Sequence, residues 1–272
     1  MNPTVLIGRV EARGISRRRW FLSLLVLGAA FIVAGAVLAA NRSGIDAIDT
    51  MRSWTAAVYL VGGLLVAGTL GASTVNRDAD GGWVGLQVAT GTPRLTVALA
   101  RIAGRLAALV ALFAIWIVIA AICSAAIGQG GDWPLFVHGL AMLENMVLVL
   151  VTAALCSVAL GPVASGIVAI FFYVSCLSLV NLMAASSDGV IGSAWTGLIS
   201  GLYYLFPRAI TSPMLSEMQA RGAAGVAGAQ LEINGNIVLV PAASWLTVLW
   251  TLLWCAVIAL SAGLSFRRRA IS

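Results

Sequence analysis

Few side chains in this sequence are equipped for chemistry, and most of them sit inside apolar runs. The lone histidine, His138, is expected in the loop that enters the fourth such run. Ser165 lies in the stretch Pro-Val-Ala-Ser-Gly, but a serine nucleophile within a membrane needs a neighbouring base. No His or Lys lies in any of the long apolar runs. Clustered His and acidic ligands, which a zinc protease requires, are absent as well. The four cysteines Cys123, Cys156, Cys176 and Cys255 fit neither a Cys-x-x-Cys pair nor a metal framework. They read as small buried hydrophobes. Met142 and Met146 flank Glu144, and Met214 and Met218 sit beside Glu217, both pairs at i, i+4 spacing. Thioethers suit Cu(I), yet the same spacing builds an apolar helix face, which is the reading adopted. Glu144 remains as an acid inside an apolar run and is a candidate for a transport path. No Gly-x-x-x-x-Gly-Lys-Ser/Thr pattern occurs, so the chain does not hydrolyse nucleotide by that route. The expectation is a protein that is not an enzyme and binds no metal.

These residues need a scaffold, and composition points to a bilayer. Hydrophobic residues make up 61% of the 272 and charged residues 10%, where a soluble domain carries roughly 25% charge. Six segments reach the roughly 20 apolar residues that a span requires. They are Trp20–Ala40, Ala56–Ser73, Leu106–Ile127, Leu140–Leu160, Val163–Ala185 and Trp245–Phe266. Only Gly161-Pro162 separates the fourth from the fifth, and this pair suits a helix end followed by a helix start. On these boundaries Glu144 stands about one turn below the outer end of the fourth span. Gly63, Ala67 and Gly71 recur on one face of the second span, where small residues let helices approach closely. The expected fold is an all-α membrane protein forming one transmembrane unit over residues 1–272. Residues 1–19 form an interfacial helix and 20–185 carry five spans. Residues 186–244 form an outer segment, 245–266 the sixth span and 267–272 a tail.

Arginine placement sets the orientation. The net charge is +6 and every basic residue is Arg. Arg9, Arg13, Arg17, Arg18 and Arg19, then Arg77, Arg94, Arg101 and Arg105, then Arg267, Arg268 and Arg269 fall on one side of six spans. Arg42, Arg52, Arg208 and Arg221 fall on the other. Both termini are therefore expected in the cytoplasm, with the chain in a cell membrane. The arginines read as topology and headgroup contacts, and no module for nucleic acid is present. Val5–Arg19 is basic and amphipathic, as an interfacial helix requires. Ala194–Phe206 is apolar, aromatic and too short to span, and it stops at Pro207, which suggests a re-entrant or interfacial helix. Ile233–Val240 is rich in β-branched residues and suggests a small outer cap.

The loop from Thr74 to Arg105 is the informative one. Asp78 and Asp80 open it. Trp83–Thr90 can form a short helix that presents Trp83 and Leu86 to a partner. Thr92-Pro93 then starts a helix that runs from Arg94 into the third span. A short helix held between two spans is a mechanical handle.

At these residues the sequence resembles the type-2 ABC-transporter permeases, whose pattern here is E-R-E-x-G-T-L-x-x-L-L-x-T-P-x-S-R. The chain offers Asn76-Arg77-Asp78, Gly81, Leu86, Thr90 and Thr92-Pro93-Arg94, with Arg101 beyond. Asp78 replaces the motif's second Glu, and Gly-Gly-Trp stands where the family has Gly-Thr-Leu. The stretch Arg9–Phe21 resembles the family's elbow helix, and the outer segment its re-entrant helices. Among relatives of this size it is similar to the permease of nitrous-oxide-reductase maturation and to drug and lantibiotic exporters. The resemblance implies a second permease chain, identical or not, and a cytoplasmic ATPase that carries ATP and Mg. Docking would use Asp78, Trp83, Leu86, Pro93 and Arg94. It also implies export of a hydrophobic or amphiphilic substrate. A secondary transporter, a channel and a non-transporting scaffold are the alternatives.

Overall fold

The computed structural model describes residues 3–79, 93–128, 130, 132–187, 193–220, 231–233, 236–238 and 242–268. Apart from one short hairpin, the regular structure among the described residues is helical. Helix α1 covers Pro3–Ser16 and α2 covers Arg19–Ala40. Helix α3, Ile45–Ala57, joins α4, Gly63–Ala79, through one turn of π-helix at Val58–Gly62. Then come α5 at Arg94–Ala126, α6 at Trp133–Cys156 and α7 at Pro162–Ser187. The segment before the last long helix holds α8 at Ser193–Leu205, α9 at Pro213–Ala220 and the strands β1, Leu231–Ile233, and β2, Asn236–Val238. The strands pair antiparallel, with Glu232 opposite Ile237. Helix α10, Trp245–Arg268, closes the chain.

Five of these helices, together with α3, the π turn and α4 taken as one continuous run, make six segments long and apolar enough to cross a bilayer, and the chain is a multi-pass membrane protein. The spans match the sequence reading in number and order, but their outer ends differ. The second begins at Ile45 rather than Ala56, and the fourth at Trp133 rather than Leu140. Hydropathy trims both because Asp46, Asp49, Arg52 and His138 fall in their first turns. The structure buries Asp49, Arg52 and His138 against neighbouring helices. Helix α7 begins at Pro162, where the missing N–H costs no hydrogen bond.

The second and fourth spans form the centre: 61% and 67% of their apolar windows are buried, against 28% to 39% in the other four. Their contact uses the small-residue stripe. Ala67 is fully buried, a Cβ on Gly63 would lie 2.9 Å from the Met146 side chain, and one on Gly71 would meet the Leu150 carbonyl. The stripe therefore packs α4 on α6 within the chain. Met142, Met146, Met214 and Met218 all belong to the same buried core.

Trp116 of α5 locks the first span to this centre. It is fully buried, and its indole N–H donates to the Leu25 carbonyl at 3.1 Å. Gly28 and Gly62 make room for it, since a Cβ would lie 2.5 Å and 2.8 Å from its ring. Gly62 ends the π turn, so the widened turn and the bulky ring fit one another. Trp116→Ala should lower the unfolding free energy by about 3–5 kcal/mol, read from thermal unfolding in detergent. Wild-type stability would show that the ring is dispensable.

Candidate functional site: the junction at the arginine-rich end

Helix α5 has 33 residues, or about 50 Å, well beyond the roughly 30 Å hydrocarbon core. Helix α1 packs along the first turns of α5, at the arginine-rich end. Gly8 and Gly104 let the two backbones meet: a Cβ on Gly104 would lie 2.5 Å from the Gly8 carbonyl oxygen. Beside this contact, Glu11 of α1 takes two hydrogen bonds from Arg105, at 2.9 Å from Nε and 2.8 Å from Nη2. Arg101 Nη2 stands 3.8 Å from the other carboxylate oxygen.

The remaining nitrogen of Arg105 reaches a third element. Nη1 donates to the Leu70 carbonyl, to Ser73 Oγ at 2.9 Å and to Thr74 Oγ1 at 3.0 Å, all on α4. Arg105 is 3% exposed at its side chain. A guanidinium presents its N–H donors in a fixed fork, and here the fork joins α1, α4 and α5 at one point. Arg105 lies eleven residues beyond Arg94, or about 16 Å along α5, and residues 80–92 connect α4 to α5 in the chain.

The expected coupling residues divide across this boundary. The backbone of Asp78 is in the last turn of α4. Trp83 and Leu86 lie outside the described residues. Pro93 is exposed just before α5, and Arg94 is its first residue, half-buried. On α1, Arg9, Arg13 and Arg17 are exposed beside the exposed Val5, Leu6 and Val10, Arg18 is half-buried, and Arg19 is exposed at the start of α2. The sequence reading singled out the arginines of α1 and missed Glu11 and Gly8. The available signal was a glycine and an acid three residues apart on a basic helix, which places them on one face.

The opposite end is tied by a second polar cluster. Arg52 of α3 grips Asp132 through Nε at 2.8 Å and Nη2 at 2.7 Å, and its Nη1 donates to Glu217 of α9 at 3.2 Å. Asp132 also caps α6 by accepting from the Leu135 N–H at 3.3 Å. Deeper in, Asn145 of α6 pairs with the backbone of Ile210, accepting from its N–H at 2.8 Å and donating to its carbonyl at 3.0 Å. His138 is not in a loop: it is in the second turn of α6, fully buried, with Nδ1 2.8 Å from Ser212 Oγ.

Glu144 also moves. It lies eleven residues beyond Trp133, or about 16 Å of helix, so it stands near the middle of α6 rather than one turn from its end. It is half-buried, and Oε1 has no hydrogen-bond partner among the described residues. It faces α10, within electrostatic range of Cys255. The sequence matches no protein-family model and no curated protein.

Gly104→Ala should part α1 from α5, because the new Cβ overlaps the Gly8 carbonyl. Arg105→Ala should cost about 3–5 kcal/mol by leaving Glu11 without its main partner. Protease accessibility of α1 and thermal unfolding in detergent measure the two effects. A Gly104→Ala protein with α1 as protected as before would refute the first.

Proposed function

We propose that the chain is the transmembrane permease subunit of an ATP-binding-cassette transporter, exporting a hydrophobic or amphiphilic substrate. The observation that carries this reading is the Arg105 junction, a rigid three-helix joint between the two helices that the segment bearing Trp83 and Leu86 connects. A force applied to that segment by a partner enters α4 and α5 together and passes to α1 through Glu11. The chain binds no nucleotide. ATP and Mg belong to a cytoplasmic ATPase docked through Asp78, Trp83, Leu86, Pro93 and Arg94, and a second permease chain completes the complex. ATP then biases a two-state arrangement of the spans from outside the bilayer.

Other features fit this assignment. Helix α1 lies at the cytoplasmic interface as an elbow, with Val5, Leu6 and Val10 in the headgroup layer and arginines about them. Residues 193–220 form a re-entrant unit: two short helices flank a non-helical turn that descends to Asn145. Non-helical backbone is tolerated at that depth only when protein satisfies it, and Asn145 does so at Ile210. Both termini are cytoplasmic and the host membrane is the cell or inner membrane.

Glu144 favours a second reading. A carboxyl group at mid-span suits an ion-coupled transporter that needs no ATPase. Transport by the purified chain in proteoliposomes, driven by an ion gradient without ATP and abolished by Glu144→Gln, would select it.

The first reading is tested by purification from the native host in mild detergent with mass spectrometry of bound proteins. A stoichiometric P-loop ATPase is expected. Trp83→Ala and Leu86→Ala should each reduce its recovery by about tenfold while leaving thermal unfolding of the permease unchanged. Undiminished co-purification in both variants would sink the docking assignment.

A further inference from the structure

Beneath the Arg52–Asp132 pair, α5 and α6 diverge around a crevice of about 190 Å³ lined by Tyr59, Ile117, Ala120, Ser124, Asp132 and Phe136. Tyr59 belongs to the π turn, an irregularity that recurs at functional sites. Tyr59 and Ser124 are fully buried, yet neither Tyr59 Oη nor Ser124 Oγ has a hydrogen-bond partner among the described residues. Buried hydroxyls are normally satisfied, so two in one crevice imply a polar occupant.

Three properties of the walls select its chemistry. The carboxylate of Asp132 adds acceptor capacity to the two hydroxyl oxygens, and a primary ammonium brings three N–H donors. The adjoining cluster brings two carboxylates, Asp132 and Glu217, to one guanidinium, Arg52. At the mouth, Trp133 and Phe136 are exposed and stacked with centroids 5.1 Å apart. Aromatic faces attract a cation, and Trp is at home where a span meets the headgroups. An anionic head would face the Asp132 carboxylate, and a neutral head would forgo its attraction for a cation. Ile117, Ala120 and Phe136 offer an apolar exit for a chain.

We infer that this crevice binds the ammonium head of an amphiphile, entering from the outer end between α5 and α6. Binding stands on the site alone, and only the description of the ligand as cargo rests on the transport reading. An aminolipid of the bilayer and a free alkylamine share this head.

The test uses the full chain without any ATPase, in phosphatidylcholine nanodiscs, with calorimetric titration of dodecylamine and, as neutral control, dodecanol. Dodecylamine is expected to bind at least about tenfold tighter than dodecanol, and Tyr59→Phe with Ser124→Ala to weaken the amine by about tenfold while the alcohol is unaffected. Tyr59→Phe alone keeps the ring that packs the π turn and should fold as the wild type, so it serves if the double variant does not. Equal affinities for amine and alcohol, or wild-type amine affinity in the variants, would overturn the inference. Adding phosphatidylethanolamine to the nanodiscs separates the sources. Competition assigns the site to a bilayer aminolipid, and retained dodecylamine binding assigns it to a free amine. Loss of amine selectivity beside a co-purifying ATPase would remove this site and leave the permease reading. The converse result would remove the permease reading and leave the site.

Discussion

Hydrocarbon offers a backbone amide no partner, and that constraint reaches every level of this chain. It explains why the spans are helices, and why the non-helical backbone described inside the bundle is so thoroughly bonded. Residues 206–212 are non-helical and run beside α6. Ile210 is answered by Asn145, the Thr211 carbonyl by the Ala243 N–H, and the Arg208 carbonyl by Thr251. The Phe206 carbonyl takes the indole N–H of Trp250. Without these partners a non-helical segment at the depth of Asn145 would be excluded from the bundle. Asn145 of α6 and Trp250 and Thr251 of α10 therefore stand where the loop needs partners.

The two ends of the molecule use charge in the same way but to different effect. At the arginine-rich end, Arg105 gathers α1, α4 and α5 around one guanidinium, and Glu11 balances it. At the other end, Arg52 gathers α3, α6 and α9, and two carboxylates surround it. Buried pairs of this kind contribute little net stability compared with apolar packing, but breaking one partner is costly. Their consequence is registration: each arginine admits one relative placement of three helices. The apolar contacts between the clusters, led by Trp116 and the Gly63–Gly71 stripe, supply cohesion without choosing that placement so sharply.

Glu144 stands apart from both clusters. It lies on α6 beyond the reach of Arg52, among residues that offer it little polar company, with Cys255 opposite. The chain thus keeps one carboxyl group in its apolar middle while its described ion pairs lie towards the ends.

Much of this was legible from residue types. Long apolar runs determine the number and order of the spans, because partition into lipid acts on local sequence. The break at Gly161-Pro162 and the close packing through Gly63, Ala67 and Gly71 were equally local signals. What hydropathy could not locate was the outer edge of the second and fourth spans, since Arg52 and His138 look incompatible with a bilayer until Asp132 and Ser212 are placed against them. The depth of Glu144 changed for the same reason. Nor could sequence pair Glu11 with Arg105 across 94 positions, or bring Tyr59 and Ser124 to one crevice. Those pairings depend on the close approach of helices, and helix approach is decided by packing in three dimensions rather than by any periodicity along the chain.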